Sequence, residues 1–212
     1  MALLRGVTSF EPSTHGFRFA NTFAIHFADL GIPRAGTIGQ GLCGGMSLHA
    51  KRLFECGEAP PALSSLPRKD TALYIAIWRR QLESLFPITW ARFITWQARG
   101  NRPGRSLASI GEMTKREWPK LRARLDAGEP TVLGLIRLES KNPARAGANH
   151  QVLAIGYSLD SGADQARIDL YDPNHPGRVS VLTVDLGEPG HQIRITQATG
   201  EVVRGFFLTA AQ

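Results

Sequence analysis

The sequence divides by the period of its apolar residues, and that division most limits the folds open to it. Met46, Ala50, Leu53 and Phe54 recur at the i, i+4, i+7, i+8 spacing of one helical face. A second helix follows a loop with Pro60, Pro61 and Pro67: Asp70 is its expected N-cap, Leu73, Ile77, Trp78, Leu82 and Leu85 form its stripe, and Pro87 stops it. Residues 88–98, with Trp90, Phe93, Ile94 and Trp96, predict a third, short helix with a core-facing aromatic stripe. A fourth is expected within 114–126, where two starts compete. Thr114-x-x-Glu117 matches a capping box, and Pro119 suits a first helical position. Beyond Pro130 the pattern changes to short runs of β-branched and aromatic residues cut by turn formers: 131–138, 151–157, 166–171, 179–186, 193–196 and 202–208. Helices first and strands afterwards predicts an α+β fold with a mainly antiparallel sheet, since few helices remain for parallel crossovers. No repeat or long linker divides the chain, so one domain over residues 1–212 is expected, its helical half about 37–127 and its sheet half about 130–210.

Before the first helix, Gly16 to Phe23 alternates apolar and polar, as in a short strand or an extended segment packed on the core. No apolar run reaches transmembrane length, and no membrane span is expected. The start, Met1-Ala-Leu-Leu-Arg-Gly, lacks the basic, apolar and small-residue zones of a secretory signal, which predicts a cytoplasmic protein; export without a cleaved signal gives the same sequence. The only two cysteines, Cys43 and Cys56, form no C-x-x-C and no zinc spacing, and on one helix they lie too far apart to bridge. No cofactor or metal is expected, Cys56 reads as a helix-end or core residue, and nothing fixes an oligomeric state. The net charge of +7 is partly local: Arg99, Arg102, Arg105, Lys115, Arg116, Lys120, Arg122 and Arg124 face only Glu112 and Glu117 in that window. Such a 99–124 stretch suits either a solvated face or contact with a polyanion, and no nucleic-acid motif accompanies it.

Three places carry chemistry. In Gly39-Gln40-Gly41-Leu42-Cys43-Gly44-Gly45-Met46 a cysteine sits at or just before the first turn of a helix. Unpaired N–H groups and the positive end of the macrodipole there favour a thiolate, and the glycines clear space for a second backbone or a substrate. Asn149-His150-Gln151-Val152 puts a histidine at the head of a strand, and Tyr171-Asp172-Pro173 ends the next strand in an acid and a turn. Antiparallel pairing of those strands makes His150 and Asp172 neighbours, with Nδ1 expected on Asp172 and the other nitrogen directed outward. Each residue also has a plain structural role open to it: Cys43 as a small core residue, His150 as a hydrogen-bonded strand residue, Asp172 as a turn former.

Taken together, Gln40 to Met46, Asn149 to Tyr157 and Tyr171-Asp172-Pro173 resemble the papain-like cysteine peptidase superfamily. The later segments are most similar to the bacteriocin-processing peptidase branch, and the first to bacterial proteins sharing a Gly-Leu-Cys-Gly-Gly-Met motif. The resemblance implies a papain-like fold with the Cys43 helix packed on the sheet. It also implies a catalytic triad of Cys43 as nucleophile, His150 as general base and acid, and Asp172 as orienting group. The family usually places an oxyanion-hole glutamine six residues before the cysteine; here that position is Thr37, and Gln40 stands three before. Gln40 is therefore the expected oxyanion donor, with Asn21 the alternative and the Cys43 N–H contributing in either case.

The expected function is a thiol hydrolase or acyl transferase acting on a peptide, isopeptide or side-chain amide of a peptide or protein substrate. A papain-like module that binds a peptide or polyanion without catalysis is the alternative. Loops 58–69 and 97–111 are expected to line the specificity pocket.

Overall fold

The computed structural model describes residues 3–26, 37–101, 108–160, 162, 164–187 and 195–212. Its first half contains β1 (Leu3–Val7), α1 (Pro12–His15), β2 (Ala24–His26), β3 (Thr37–Gln40), α2 (Cys43–Glu55), α3 (Ala72–Leu85), α4 (Ile88–Gln97) and α5 (Ile110–Asp126). Its second half contains β4 (Thr131–Ile136), a 3-10 turn (Pro143–Ala148), β5 (His150–Asp160), β6 (Gln165–Tyr171), β7 (Val179–Asp185), β8 (Ile195–Gln197) and β9 (Gly205–Leu208).

This is an α+β arrangement, and every strand pair in it is antiparallel. The main sheet runs β8-β7-β6-β5-β4-β9. The long strand β5 pairs with β6 along one edge; on its other edge β4 meets residues 150–154 and β1 meets 156–160. The strict alternation of strand side chains sorts the core into two faces. On one face Leu133, Leu135, Val152, Ala154, Ile168 and Leu170 meet Trp118, Leu121 and Leu125 of α5. On the other, Val132, Leu153, Ile155 and Tyr171 meet Met46, Leu48 and Ala50 of α2 and Ile77 of α3. Phe93 and Trp96 of α4 pack on Ile136 and Phe207. No described helix is long and apolar enough to cross a membrane.

Two expected helix starts change, and a strand stands at the N-terminus where none was expected. The N-terminal strand β1 was not legible, because only Gly6 of its five residues is buried. Pairing with β5, and not patterning, makes it a strand. The segment 16–23 pairs with no strand but packs on the core as expected, with bends at Gly16, Arg18 and Phe19 and with Phe17, Phe19 and Phe23 buried. Helix α3 is capped by Thr71, whose hydroxyl accepts from Tyr74 N–H at 3.3 Å, while Asp70 pairs with Arg68. Helix α5 begins earlier than either expected start. Ser109 and Glu112 form its capping box, with Glu112 N–H to Ser109 Oγ at 3.2 Å and Ser109 N–H to Glu112 Oε2 at 2.7 Å, and Pro119 lies inside the helix.

Three cations of the basic stretch are paired with acids. Lys120 pairs with Glu117 at 2.8 Å, Arg122 with Asp126 at 3.4 Å and Arg124 with Glu129 at 3.5 Å, while Lys115 donates to the Gly187 carbonyl. Arg102 and Arg105 lie outside the described residues.

Candidate functional site

Cys43 is the first residue of α2, and the packing of that helix explains the glycines beside it. A Cβ on Gly45 would stand 2.2 Å from the Ile77 carbonyl oxygen of α3, and one on Gly44 2.4 Å from Ser84 Oγ and 2.5 Å from Gln151 Nε2. The first turn of α2 thus enters a notch between α3 and β5 that side chains would close. The turn before it is held from two sides. Gly41, at φ +89°, donates to Phe23 O at 2.7 Å, and Leu42 N–H donates to Asn21 Oδ1 at 2.5 Å. Gln81 Oε1 accepts from Gly45 N–H at 2.7 Å, so part of the helix N-terminus is already satisfied by protein.

The start of β5 lies against this turn. Gln151 N–H donates to Cys43 Sγ at 3.4 Å, which brings His150 to the sulfur. Register places Asp172 beside it: continued past Leu153↔Tyr171, the ladder puts Asp172 opposite Val152, on the face that His150 shares. His150 Nε2 and Asp172 Oδ1 are 2.8 Å apart, both side chains at most 3% exposed. The expected ring orientation is therefore reversed. Asp172 holds Nε2, and Nδ1 is the nitrogen left to act on Cys43. The reason is that Sγ is bound at the strand backbone, where Nδ1 lies, whereas Asp172 reaches the ring's far end from beyond β6.

The electrostatics follow from this contact. Burial pushes the Cys43 thiol up, but the charge and hydrogen bond of His150, with the Gln151 and Gly44 amides, outweigh it and bring the pKa below the ordinary thiol value. Burial pushes His150 down, and the Cys43 thiolate with the Asp172 carboxylate more than reverses that, lifting it to about 10. Asp172 is raised by burial and lowered further by His150 and the Asn174 N–H, ending below the usual carboxylate range. The favoured state is a thiolate–imidazolium pair backed by a carboxylate.

Residues that no motif announced complete the frame. Gln197 Nε2 donates to Asp172 Oδ2 at 3.1 Å, and Asn174 N–H to Oδ1 at 2.9 Å. Asn174 Oδ1 accepts from Asn21 Nδ2 at 3.1 Å, and Asn21 N–H donates to Pro173 O at 2.9 Å. A continuous chain of bonds thus runs from Asp172 through Asn174 and Asn21 to the backbone beside Cys43. Asn21 was expected only as the alternative oxyanion donor, and Asn174 was visible only as part of Asp-Pro-Asn, which read as turn chemistry. Asn21 faces the same cleft as Cys43, while the side chains of Gln40 and Thr37 lie outside the described residues.

Cys43 and His150 open on a cleft of about 500 Å³ with Asn21, Arg137, Arg145 and Asn174 among its walls. The 3-10 turn supplies much of its rim. Loop 58–69 and the described residues of 97–111 do not line it, because that turn and residues 20–22 stand closer to Cys43. Cys56 is exposed at the far end of α2. Among the described residues no group of three or more His, Cys, Asp or Glu is arranged for a metal ion. Comparison of the sequence with protein-family models and with curated proteins finds no match, and comparison with solved structures finds none either.

Proposed function

We propose that the protein is a thiol hydrolase or acyl transferase of papain-like type, working through Cys43, His150 and Asp172. The observation that carries this is the single imidazole held at 2.8 Å by a fully buried carboxylate and interacting with a cysteine at the start of a helix. The Cys43 thiolate adds to the carbonyl carbon of a peptide, isopeptide or side-chain amide. The oxyanion that forms meets the Cys43 N–H and a side-chain amide, that of Asn21 or Gln40. His150 passes its Nδ1 proton to the departing amine as the C–N bond breaks, leaving a thioester. It then takes a proton from water, or from an acceptor amine, which attacks the thioester and returns the thiolate. Asp172 stays ionised and fixes the ring. A binding module is the second reading, favoured by one feature: Asn21 already spends its oxygen on Leu42 and an amide hydrogen on Asn174, so only its second hydrogen is left for an oxyanion.

The test is the rate of iodoacetamide labelling at Cys43 and Cys56, resolved by peptide mass spectrometry between about pH 4 and 10. Cys43 is expected to keep labelling at pH values below the ordinary thiol range, and to lose that property in His150→Ala. Turnover of any substrate should then fall as pH rises through about 10, where the imidazolium loses the proton it gives to the leaving group. If Cys43 follows the labelling curve of an ordinary thiol, the catalytic reading is wrong and the binding module takes its place.

A further inference from the structure

Apart from Cys43 and His150, the only charged side chains among the described residues that line the cleft are two arginines, Arg137 and Arg145. Arg145 projects from the 3-10 turn and is exposed, with no ion-pair partner among the described residues. Arg137, at the end of β4, is 3.0 Å from Glu201 Oε1, yet its side chain stays 32% exposed. No aspartate or glutamate is among the described residues that line the cleft. Asp172 is wholly buried and bonded to His150, so its charge is set against the imidazolium. The N-terminus of α2 adds positive potential at the floor, where the His150 imidazolium and the Cys43 thiolate offset each other.

The arginine-bearing turn is built on a fixed support. Asn142 Oδ1 accepts from Ala144 N–H at 3.0 Å, and Gln97 Nε2 donates to Asn142 O at 2.8 Å. Asn149, the residue before His150, donates to Ala146 O at 3.2 Å and to Gln97 Oε1 at 3.0 Å, and accepts from Arg137 N–H at 3.0 Å. Asn149 and Gln97 are both at most 9% exposed. One buried amide pair therefore sets the positions of Arg137, the Arg145 turn and the head of β5 relative to each other. The backbone carrying each arginine is fixed in this way, and a guanidinium favours a planar anion that takes two parallel hydrogen bonds.

Resting on the thiol-hydrolase reading of Cys43, we infer that the substrate carries a carboxylate close to the bond attacked, held by Arg145 with Arg137 in support. Two sources share that chemistry: an aspartate or glutamate side chain beside the scissile amide, and the free C-terminal carboxylate of a short acyl donor or acceptor.

Iodoacetate and iodoacetamide alkylate the same sulfur and differ by one carboxylate, so their rate ratio at Cys43 cancels the thiolate fraction and reports the cleft's preference for the anion. Cys56, at the other end of the same helix, is the internal reference. The ratio at Cys43 is expected to exceed that at Cys56 by on the order of tenfold at low salt and to shrink as salt is added. Arg145→Gln should remove most of the excess and Arg145→Lys should keep part of it. Equal ratios at the two cysteines would overturn the inference, and so would an excess that neither Arg145→Gln nor Arg137→Gln reduces, since the positive N-terminus of α2 would then be its source. The nucleophile reading depends instead on the absolute iodoacetamide rate and its dependence on His150, so either can fail without the other. Protection of Cys43 against iodoacetamide separates the two sources. A glutamate-bearing peptide with an amidated end tests the side chain, an all-glycine peptide with a free carboxylate tests the terminus, and an amidated glycine peptide is the neutral control. Protection by one charged peptide and not by the control identifies the source. Protection by neither, at concentrations on the order of 10 mM where a carboxylate held this way should bind, would also overturn the inference.

Discussion

Asp172 is the residue on which the local chemistry converges. It is fully buried, and a buried carboxylate is tolerated only when its oxygens are occupied. His150 and the Asn174 N–H share Oδ1, and Gln197 Nε2 is the one side-chain donor to Oδ2 among the described residues. Gln197→Leu keeps the apolar part of that side chain and removes the donor. Urea unfolding of this variant is expected to show a loss of about 1.5–3 kcal/mol, the range for a hydrogen bond to a charged group, together with slower Cys43 labelling because the imidazole is less firmly held. A stability equal to wild type would mean that water replaces the amide and that Asp172 needs no third partner. His150 and Asp172 were legible in the sequence because a strand head and a strand end have fixed relations in a hairpin. Gln197 was not, since it arrives from β8, 25 residues after Asp172, in an Ile-Thr-Gln run that carries no motif. The ring nitrogen was assigned wrongly for a related reason: which end of an imidazole an acid reaches depends on where the sulfur is bound, and only the Gln151 N–H contact sets that.

At the level of elements, the closeness of α2 to α3 decides both where Cys43 sits and how α3 is turned. The apolar stripe of α3 predicted a face containing Leu82, yet Leu82 is 37% exposed while Gln81 and Ser84 are buried. The neighbour they face is the polar first turn of α2, whose Gly45 amide needs an acceptor that Gln81 provides. Hydrophobicity alone cannot find such a face, because it assumes an apolar partner. The same contact gives a prediction. In Gly45→Ala the new methyl would meet the Ile77 carbonyl, which is backbone and cannot turn aside, so α2 must move. The expected cost is about 1–3 kcal/mol, with a matching loss of Cys43 labelling as the helix start shifts from His150. Gly147→Ala, on the rim of the same cleft, meets nothing within 4 Å and should change stability by less than about 0.5 kcal/mol. Thermal melts of the two variants make the comparison. Equal effects would mean that the α2–α3 contact is looser than described.

Across the whole molecule, the α+β division and the antiparallel pairing were legible because they follow from periodicity, and the second half's strands fall where short β-branched runs predicted. The helix-to-sheet joints were not, since they depend on polar residues acting at long range. Thr114 and Glu117 illustrate this. Their spacing read as a helix cap, but Thr114 Oγ1 accepts from Phe206 N–H at 3.3 Å and Glu117 Oε2 from Leu208 N–H at 2.9 Å, fastening α5 to β9. Arg92 of α4 closes the joint, 3.0 Å from Glu117 Oε2 and donating to Leu208 O at 2.7 Å. Both polar groups of the Leu208 backbone are thus met by one ion pair that spans two helices and an edge strand. Burial raises the Glu117 carboxyl, and Lys120, the Leu208 N–H and Arg92 outweigh it, so it lies below the usual carboxylate range. A carboxyl lowered on folding stabilises the native state above its unfolded value near ~4.3, and that contribution is lost as pH falls through the lowered folded value. Glu117→Ala leaves the Leu208 N–H without its acceptor and Arg92 with only the Leu208 carbonyl, and is expected to cost about 1–3 kcal/mol near neutrality. Glu117→Gln keeps an acceptor and loses only the charge, so it should cost less. Its urea midpoint should lie below wild type at neutral pH and converge on it in acid, as wild-type Glu117 takes up its proton. A gap that persists unchanged into acid would show that the fit of the side chain, and not its charge, holds α4 and α5 to the edge of the sheet.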